Sequence, residues 1–287
     1  MSGKQFIKRI QALEKLTPKE KKIADFFARN YDDLVFENLS SISRKASVSK
    51  PTVLRFITKL GFQRFGEFNK ALRRELTLTH DTLHIRYSLK KKLLEDSGED
   101  IIAHSFSHTI KNLENTYTRM DKQVFTAMAQ SIAATGGNLY FFGQRSSHAL
   151  AYLFYNMMRR VLPRTTLLPA GIAAEPDPLV DVSKEDLLFV VFRHPYGEEA
   201  HRLISYFNSR EAKILLLTDS ELNPAADLVT HQLVVNTEGV SVFTSSASIL
   251  TVLESLNVAV LGFCETEVPE RFEAAESLYR MFDTFHS

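Results

Sequence analysis

Apolar residues in the first third of the chain recur at helical spacing, whereas in the last two thirds they fall in short unbroken runs. In "KLTPKEKKIADFFARNY" Ile23, Phe26 and Phe27 form one apolar side. Thr17 precedes them as a cap, with Pro18 in the first turn and Glu20 placed to reach back in a capping box. "LSSISRKAS" predicts a short helix capped by Ser40 or Ser41, with Ile42 and Ala46 inward and a turn of a few residues at Ser47 and Val48. Ser49 then caps a second helix with Pro51 in its first turn, along which Val53, Phe56, Ile57 and Leu60 make the stripe that packs on a core. Gly61 closes that helix, and "FQRFGEFNKALRREL" predicts another, with Phe65, Phe68 and Leu72 inward and Lys70, Arg73 and Arg74 outward.

The later runs read as strands at 138–143, 165–170, 186–192, 212–218 and 231–235. They are continuously apolar, as strands buried on both faces of a parallel sheet should be. Helix-length segments separate most of them, among them Ser146 to Val161 and Gly197 to Ser209, and two more helices follow at Ile249 to Phe263 and Phe272 to Phe285. Alternation of this kind predicts a doubly wound α/β domain with right-handed crossovers, whose ligands bind beyond the carboxyl ends of the strands. Between the two regions, "TLTHDTLHIRYSLKKKLLEDSGED" is polar and reads as a linker. The expected organisation is an all-α domain over 1–78, a linker over 79–95, and the α/β domain over 96–287.

Charge sharpens this division. The net charge of +1 conceals 21 Lys and Arg against 9 Asp and Glu in residues 1–92, and 14 against 25 in 93–287. Clustered cations at the front point to a polyanion partner, because they release counterions condensed on a phosphate backbone; a solvated surface with a chance imbalance is the alternative. One cysteine, Cys264, excludes an internal disulfide framework and fits a reducing cytoplasm. The first nine residues carry charges with no apolar segment behind them, and no run approaches the roughly 18 residues of a membrane span, so neither export nor insertion is expected. The nine His residues show no metal spacing, and neither metal nor cofactor is expected.

The outer side of the helix that follows Ser49 shows Lys50, Thr52, Arg55 and Lys59. Short helix, tight turn and second helix with a cationic outer face is the helix-turn-helix arrangement, in which the second helix enters the DNA major groove. The competing reading is an amphipathic helix whose basic face meets only water. On the first reading Ser49, Lys50, Thr52, Arg55 and Lys59 face the duplex, while Arg64, Arg73 and Arg74 touch phosphate. Residues 16–76 resemble the N-terminal helix-turn-helix of the RpiR family of bacterial transcriptional regulators, with the Leu-Thr-x-x-Glu opening at 16–20 and Val-Ser-x-x-Thr-Val-x-Arg-Phe at 48–56. The resemblance implies a C-terminal sugar isomerase (SIS) domain that binds a small effector, usually a phosphosugar.

Two loops that follow strands are where such an effector should sit. "GQRSSHALA" runs from strand into helix, and the helix start with the Ser146 and Ser147 hydroxyls suits a phosphate or carboxylate, unless those serines only cap the helix. Its Gly143, Ser147 and Ala151 match the SIS pattern Gly-x-Gly-x-Ser-x-x-x-Ala, with Arg145 in place of the second glycine. "FRHPYGEEA" carries Arg193 and His194 where the SIS pattern has Ser-x-Ser-Gly-x-Thr, so a phosphosugar grip of that form does not carry over. An Arg and a His there still favour an anion, a phosphosugar held differently or a carboxylate, unless Arg193 pairs with Glu198 or Glu199 on the next turn. Thr244, Ser245 and Ser246 stand ahead of a long apolar helix, as caps or as further ligands.

Three functions follow from these readings. The first is a transcription regulator, a homodimer or homotetramer on double-stranded DNA operator switched by a small anionic effector. The second is a sugar-phosphate isomerase with a base among His148, His194 and Glu238. The third is an adaptor whose basic helices bind protein. The fused basic head favours the first, with no catalytic residue.

Overall fold

The structure, a computed structural model, describes residues 9–10, 12–13, 16–31, 34, 37–79, 87, 100–264 and 268–284, with the backbone alone over 73–79. The expected linker therefore lies outside the described residues except for Thr79 and Tyr87, and so does the expected helix end at Phe285. The chain forms two compact units, Met1–Gly98 and Glu99–Ser287.

The first unit holds helices α1 (Pro18–Arg29), α2 (Leu39–Lys45), α3 (Lys50–Lys59) and α4 (Phe65–Thr79). The capping box forms at α1: Glu20 N donates to Thr17 Oγ1 at 3.3 Å and Thr17 N to Glu20 Oε2 at 2.8 Å. At α2 the expected cap is corrected by one turn of logic. Asn38, not Ser40 or Ser41, is the cap, and Ser41 is its reciprocal partner, each bond 2.9 Å long. With the cap at Asn38 the helix starts two or three residues earlier than a cap at Ser40 or Ser41 would set it. The apolar stripe of α3 goes where its spacing directs it. Val53, Phe56 and Ile57 are buried against Ile23, Phe27, Ile42 and Phe68. Phe27 is the hub, with its ring 5.8 Å from Phe56 and 5.4 Å from Phe68.

The second unit opens with two helices that the apolar pattern did not announce, α5 (Ile101–Arg119) and α6 (Lys122–Ala133), capped by Asp100 and Asp121. The alternating part follows as β1 (Leu139–Gly143), α7 (Ser146–Val161), β2 (Thr165–Leu167), β3 (Leu187–Phe192), α8 (Glu198–Ser209), β4 (Lys213–Thr218), β5 (His231–Val234) and α9 (Ala247–Phe263), and α10 (Val268–Met281) ends it. All strand pairings are parallel, in the order β2-β1-β3-β4-β5. Helix α10 begins four residues earlier than its expected start at Phe272, because Val268 is buried and Pro269 occupies the first turn, where a missing N–H costs nothing.

Side chains alternate across the sheet. Phe141, Phe189, Val191 and Leu215 pack under α6, α7 and α9, while Phe142, Val190, Phe192 and Leu216 face α8. Strand order reverses between β1 and β3. Their carboxyl ends flank the crevice that such a reversal leaves open, and the loops after Gly143 and Phe192 border it.

Candidate functional site

In the first unit, α2 ends with Ala46 N donating to Ile42 O at 2.8 Å, and the chain reverses through Ser47, which takes a φ of 53°. Four residues therefore separate α2 from α3, and the outer face of α3 is left to solvent. Lys50 and Arg55 are exposed and Thr52 is half-buried. Neither cation has a carboxylate partner among the described residues, and the same holds for Arg64 ahead of α4.

Two expected roles change. Ser49 stands at the cap position of α3, but its hydroxyl lies 2.7 Å from Thr52 Oγ1 and makes no capping bond. Lys59 turns sideways, its Nζ 2.6 Å from Oε1 of the buried Glu20, so it fastens α3 to α1 rather than standing free with Lys50 and Arg55. That ammonium, together with the Thr17 N–H, holds the Glu20 carboxyl below the usual carboxylate range. Arg73 and Arg74 lie on α4, but their side chains fall outside the described residues.

In the second unit the two loops meet on Arg193. Its Nε donates to Ser147 Oγ at 3.2 Å, one terminal nitrogen donates to Thr244 Oγ1 and to Ser246 Oγ at 3.3 Å each, and the other donates to Ser146 Oγ at 3.0 Å. The residue is 7% exposed. The ion pair with the next turn does not form: Glu198 meets Arg202, and Glu199 accepts from Gln144 Nε2 at 2.6 Å and from Ala173 N at 2.7 Å. Gln144 in turn accepts from Ala200 N, which ties the β1 loop to the start of α8.

Burial pushes the Arg193 guanidinium down from its ordinary value and the Asp219 carboxylate pulls it back. It remains a cation at any working pH, since Arg does not lose its proton in proteins. Asp219 accepts from the His194 N–H, at 3.2 and 3.1 Å to its two oxygens, and from the Tyr196 hydroxyl at 3.0 Å. Burial and this carboxylate together push the Tyr196 phenol well up, so it stays protonated as a donor.

The structure thus brings together Ser146, Ser147, Arg193 and Thr244, with Gly143 beneath them. A Cβ on Gly143 would overlap the Ser147 carbonyl, so only glycine lets α7 start this close to β1. Arg145 is exposed and keeps a backbone more usual for glycine, at φ 54° and ψ −126°. His194 enters through its main chain, and its ring stands 5.5 Å from that of Tyr196. Ser245, expected as a ligand, instead accepts from Ala247 N at 3.4 Å, and it is its neighbour Ser246 that meets Arg193. Asp219, which stands directly after β4, is the organiser of the His194–Tyr196 loop. Its place directly after a strand was the available signal. Among residues suited to move protons, His148 has a buried Nδ1 without a partner among the described residues, and Glu238 holds Asn112 Nδ2 by its backbone carbonyl at 2.6 Å. Among the described residues no group of three or more His, Cys, Asp or Glu could hold a metal, and no single helix is long and apolar enough to cross a membrane.

A helix-turn-helix head joined to an α/β domain with an anion-suited crevice defines the class of DNA-binding regulators that carry their own sensor. Residues 4–78 match the model of the helix-turn-helix domain, rpiR family, and residues 132–261 match that of the SIS domain. The chain thus carries a helix-turn-helix domain of the rpiR family followed by a SIS domain. It is 22% identical over 227 residues to an uncharacterized HTH-type transcriptional regulator of Clostridium perfringens, covering 76% of this chain and 77% of that one. It is 23% identical over 276 residues to the bifunctional protein glk of Burkholderia mallei, covering 93% of this chain but 41% of that protein, so it spans less than half of that relative. Among solved structures, the Vibrio vulnificus NanR protein complexed with ManNAc-6P aligns over 96% of this chain and 98% of its own, at 18% identity and a TM-score of 0.58, a likeness of fold.

Proposed function

We propose that this chain regulates transcription in the cytoplasm by seating α3 in the major groove of an operator and tuning that grip through a small anionic metabolite bound in the α/β domain. The observation that carries the reading is the outer face of α3, where Lys50, Thr52 and Arg55 stand clear above a wholly buried inner face. On this reading Ser49, Lys50, Thr52 and Arg55 meet base edges, while Arg64, Arg73 and Arg74 hold phosphate and Lys59 does so with its remaining donors. We assign the DNA-binding domain to 1–78, the linker to 79–95 and the sensor to 96–287.

The effector is a phosphosugar or a carboxylate, held at Ser146, Ser147, Arg193 and Thr244, with Gly143, Arg145, His194 and Ser245 shaping the rim. The Vibrio vulnificus NanR protein, whose solved structure is complexed with ManNAc-6P, supports a phosphosugar. Arg193 supports any anion. The domain binds without turning its ligand over, because guanidinium and hydroxyl groups grip an anion but carry no proton chemistry at neutral pH.

Exposed apolar side chains on α9 and α10, including Val258, Phe263, Phe272 and Leu278, support a homodimer or homotetramer on a palindromic operator. The test is selection of binding sites from random duplexes, followed by anisotropy on the selected sequence. An enriched palindrome whose affinity collapses in Arg55→Ala is expected, and the absence of any enriched sequence sinks the proposal.

A further inference from the structure

Arg193 is a cation nearly cut off from water, and no carboxylate touches it among the described residues. Asp219 acts on it only through space and gives its oxygens to the His194 N–H and the Tyr196 hydroxyl. Of the five N–H groups of the guanidinium, four are engaged by the hydroxyls of Ser146, Ser147, Thr244 and Ser246. A hydroxyl that accepts from a guanidinium keeps its own O–H to donate. For these four, no acceptor of that O–H lies among the described residues. The cation behind them polarises each one and strengthens it as a donor. Ser146 is exposed and Thr244 and Ser246 are half-buried, so the ring opens to solvent on that side.

We propose that this hydroxyl ring receives the carboxylate end of a small metabolite, with Arg193 as the specificity-determining counter-cation behind it. The proposal rests on the reading of this domain as an anion sensor and narrows the ligand class. Charge decides between the two candidate anions. A carboxylate carries one negative charge near neutral pH, whereas a phosphate monoester carries about 1.5 to 2. The site offers one buried positive charge with Asp219 already beside it. A monoanion is matched by the guanidinium; a dianion leaves surplus negative charge next to a carboxylate in a partly dehydrated place, where unpaired charge is most costly. A two-pronged fork to Arg193 is closed to either anion, since it requires two free parallel N–H groups and one remains, so the hydroxyls make the contact and charge alone separates the two candidates.

The test is calorimetric titration of the full chain at neutral pH with paired probes that differ in the anion. Suitable pairs are acetate against inorganic phosphate, glycerate against glycerol 3-phosphate, and gluconate against glucose 6-phosphate. The carboxylate member is expected to bind more tightly by about tenfold in at least one pair. Arg193→Ser, which puts a hydroxyl where the guanidinium stands, is expected to erase or invert that order, and Arg193→Lys to keep it with weaker binding. Tighter binding of the phosphate member throughout in the native chain overturns this proposal and leaves the anion-sensor reading standing. Should Arg193→Ser not fold, the order in the native chain decides alone. No heat with any of the six probes, from a chain shown to be folded by circular dichroism, overturns the anion sensor itself and this proposal with it.

Discussion

Lys59 Nζ lies 2.6 Å from Glu20 Oε1, so the last turn of α3 is pinned to the first turn of α1 by an ion pair whose acid member also closes a capping box. The folded pKa of Glu20 is depressed. Its contribution to stability is therefore present above the unfolded carboxylate pKa and lost as pH falls through the folded one. Glu20→Gln keeps the cap geometry and removes the charge. Urea melts at neutral pH should show the variant less stable than the native chain, and the gap should close in acid below the ordinary carboxylate range.

Arg55 and Arg64 separate readout from attraction. Arg55→Ala should weaken binding to the selected operator by about 1 to 3 kcal/mol and relax its sequence preference. Arg64→Ala should weaken binding to operator and scrambled duplex alike and reduce the salt slope by about one. Anisotropy titrations over a range of salt concentrations distinguish the two patterns.

Gly143→Ala places a methyl group into the Ser147 carbonyl, and backbone cannot step aside as a flexible side chain can. A loss of about 1 to 3 kcal/mol is expected from denaturant melts, along with weaker effector binding because Ser146 and Ser147 ride on the displaced turn.

Arg145 holds a conformation that favours glycine. Arg145→Gly should relieve that strain and raise stability by about 1 kcal/mol net of the added chain entropy, read as a higher melting temperature. An unchanged or lower melting temperature would show that the side chain is held by contacts stronger than the strain it causes.

Much of this architecture was legible because parallel strands buried on both faces leave unbroken apolar runs, and all five runs became strands with ends shifted by a few residues. Helices α5 and α6 were not legible. Ile102, Phe106 and Ile110 on α5 stay exposed, so its apolar residues do not point to a single core. In the site, Ser146, Ser147, Arg193 and Thr244 were readable as residues of loops at strand ends or before a helix. Choosing Ser246 over Ser245 required knowing which of two adjacent hydroxyls turns inward, which composition does not encode. Asp219 was hidden for a related reason. It meets the His194 loop only because Phe192 and Thr218 are register partners on adjacent strands. Lys59 shares the outer side of its helix with Lys50 and Arg55, yet a long side chain reaches around the rod to an acid on another helix.

The segment that brings Thr244 and Ser246 to Arg193 is moored farther back on α5, where Asn112 donates to the Glu238 carbonyl and Thr116 Oγ1 accepts from Asn236 N at 2.9 Å. Helix α5 is also the first described helix of the second unit, the stretch through which the chain arrives from its basic head. A guest that steadied the two hydroxyls would therefore also draw on a mooring line whose far end is made fast to α5, the described helix that comes first in sequence after the basic region.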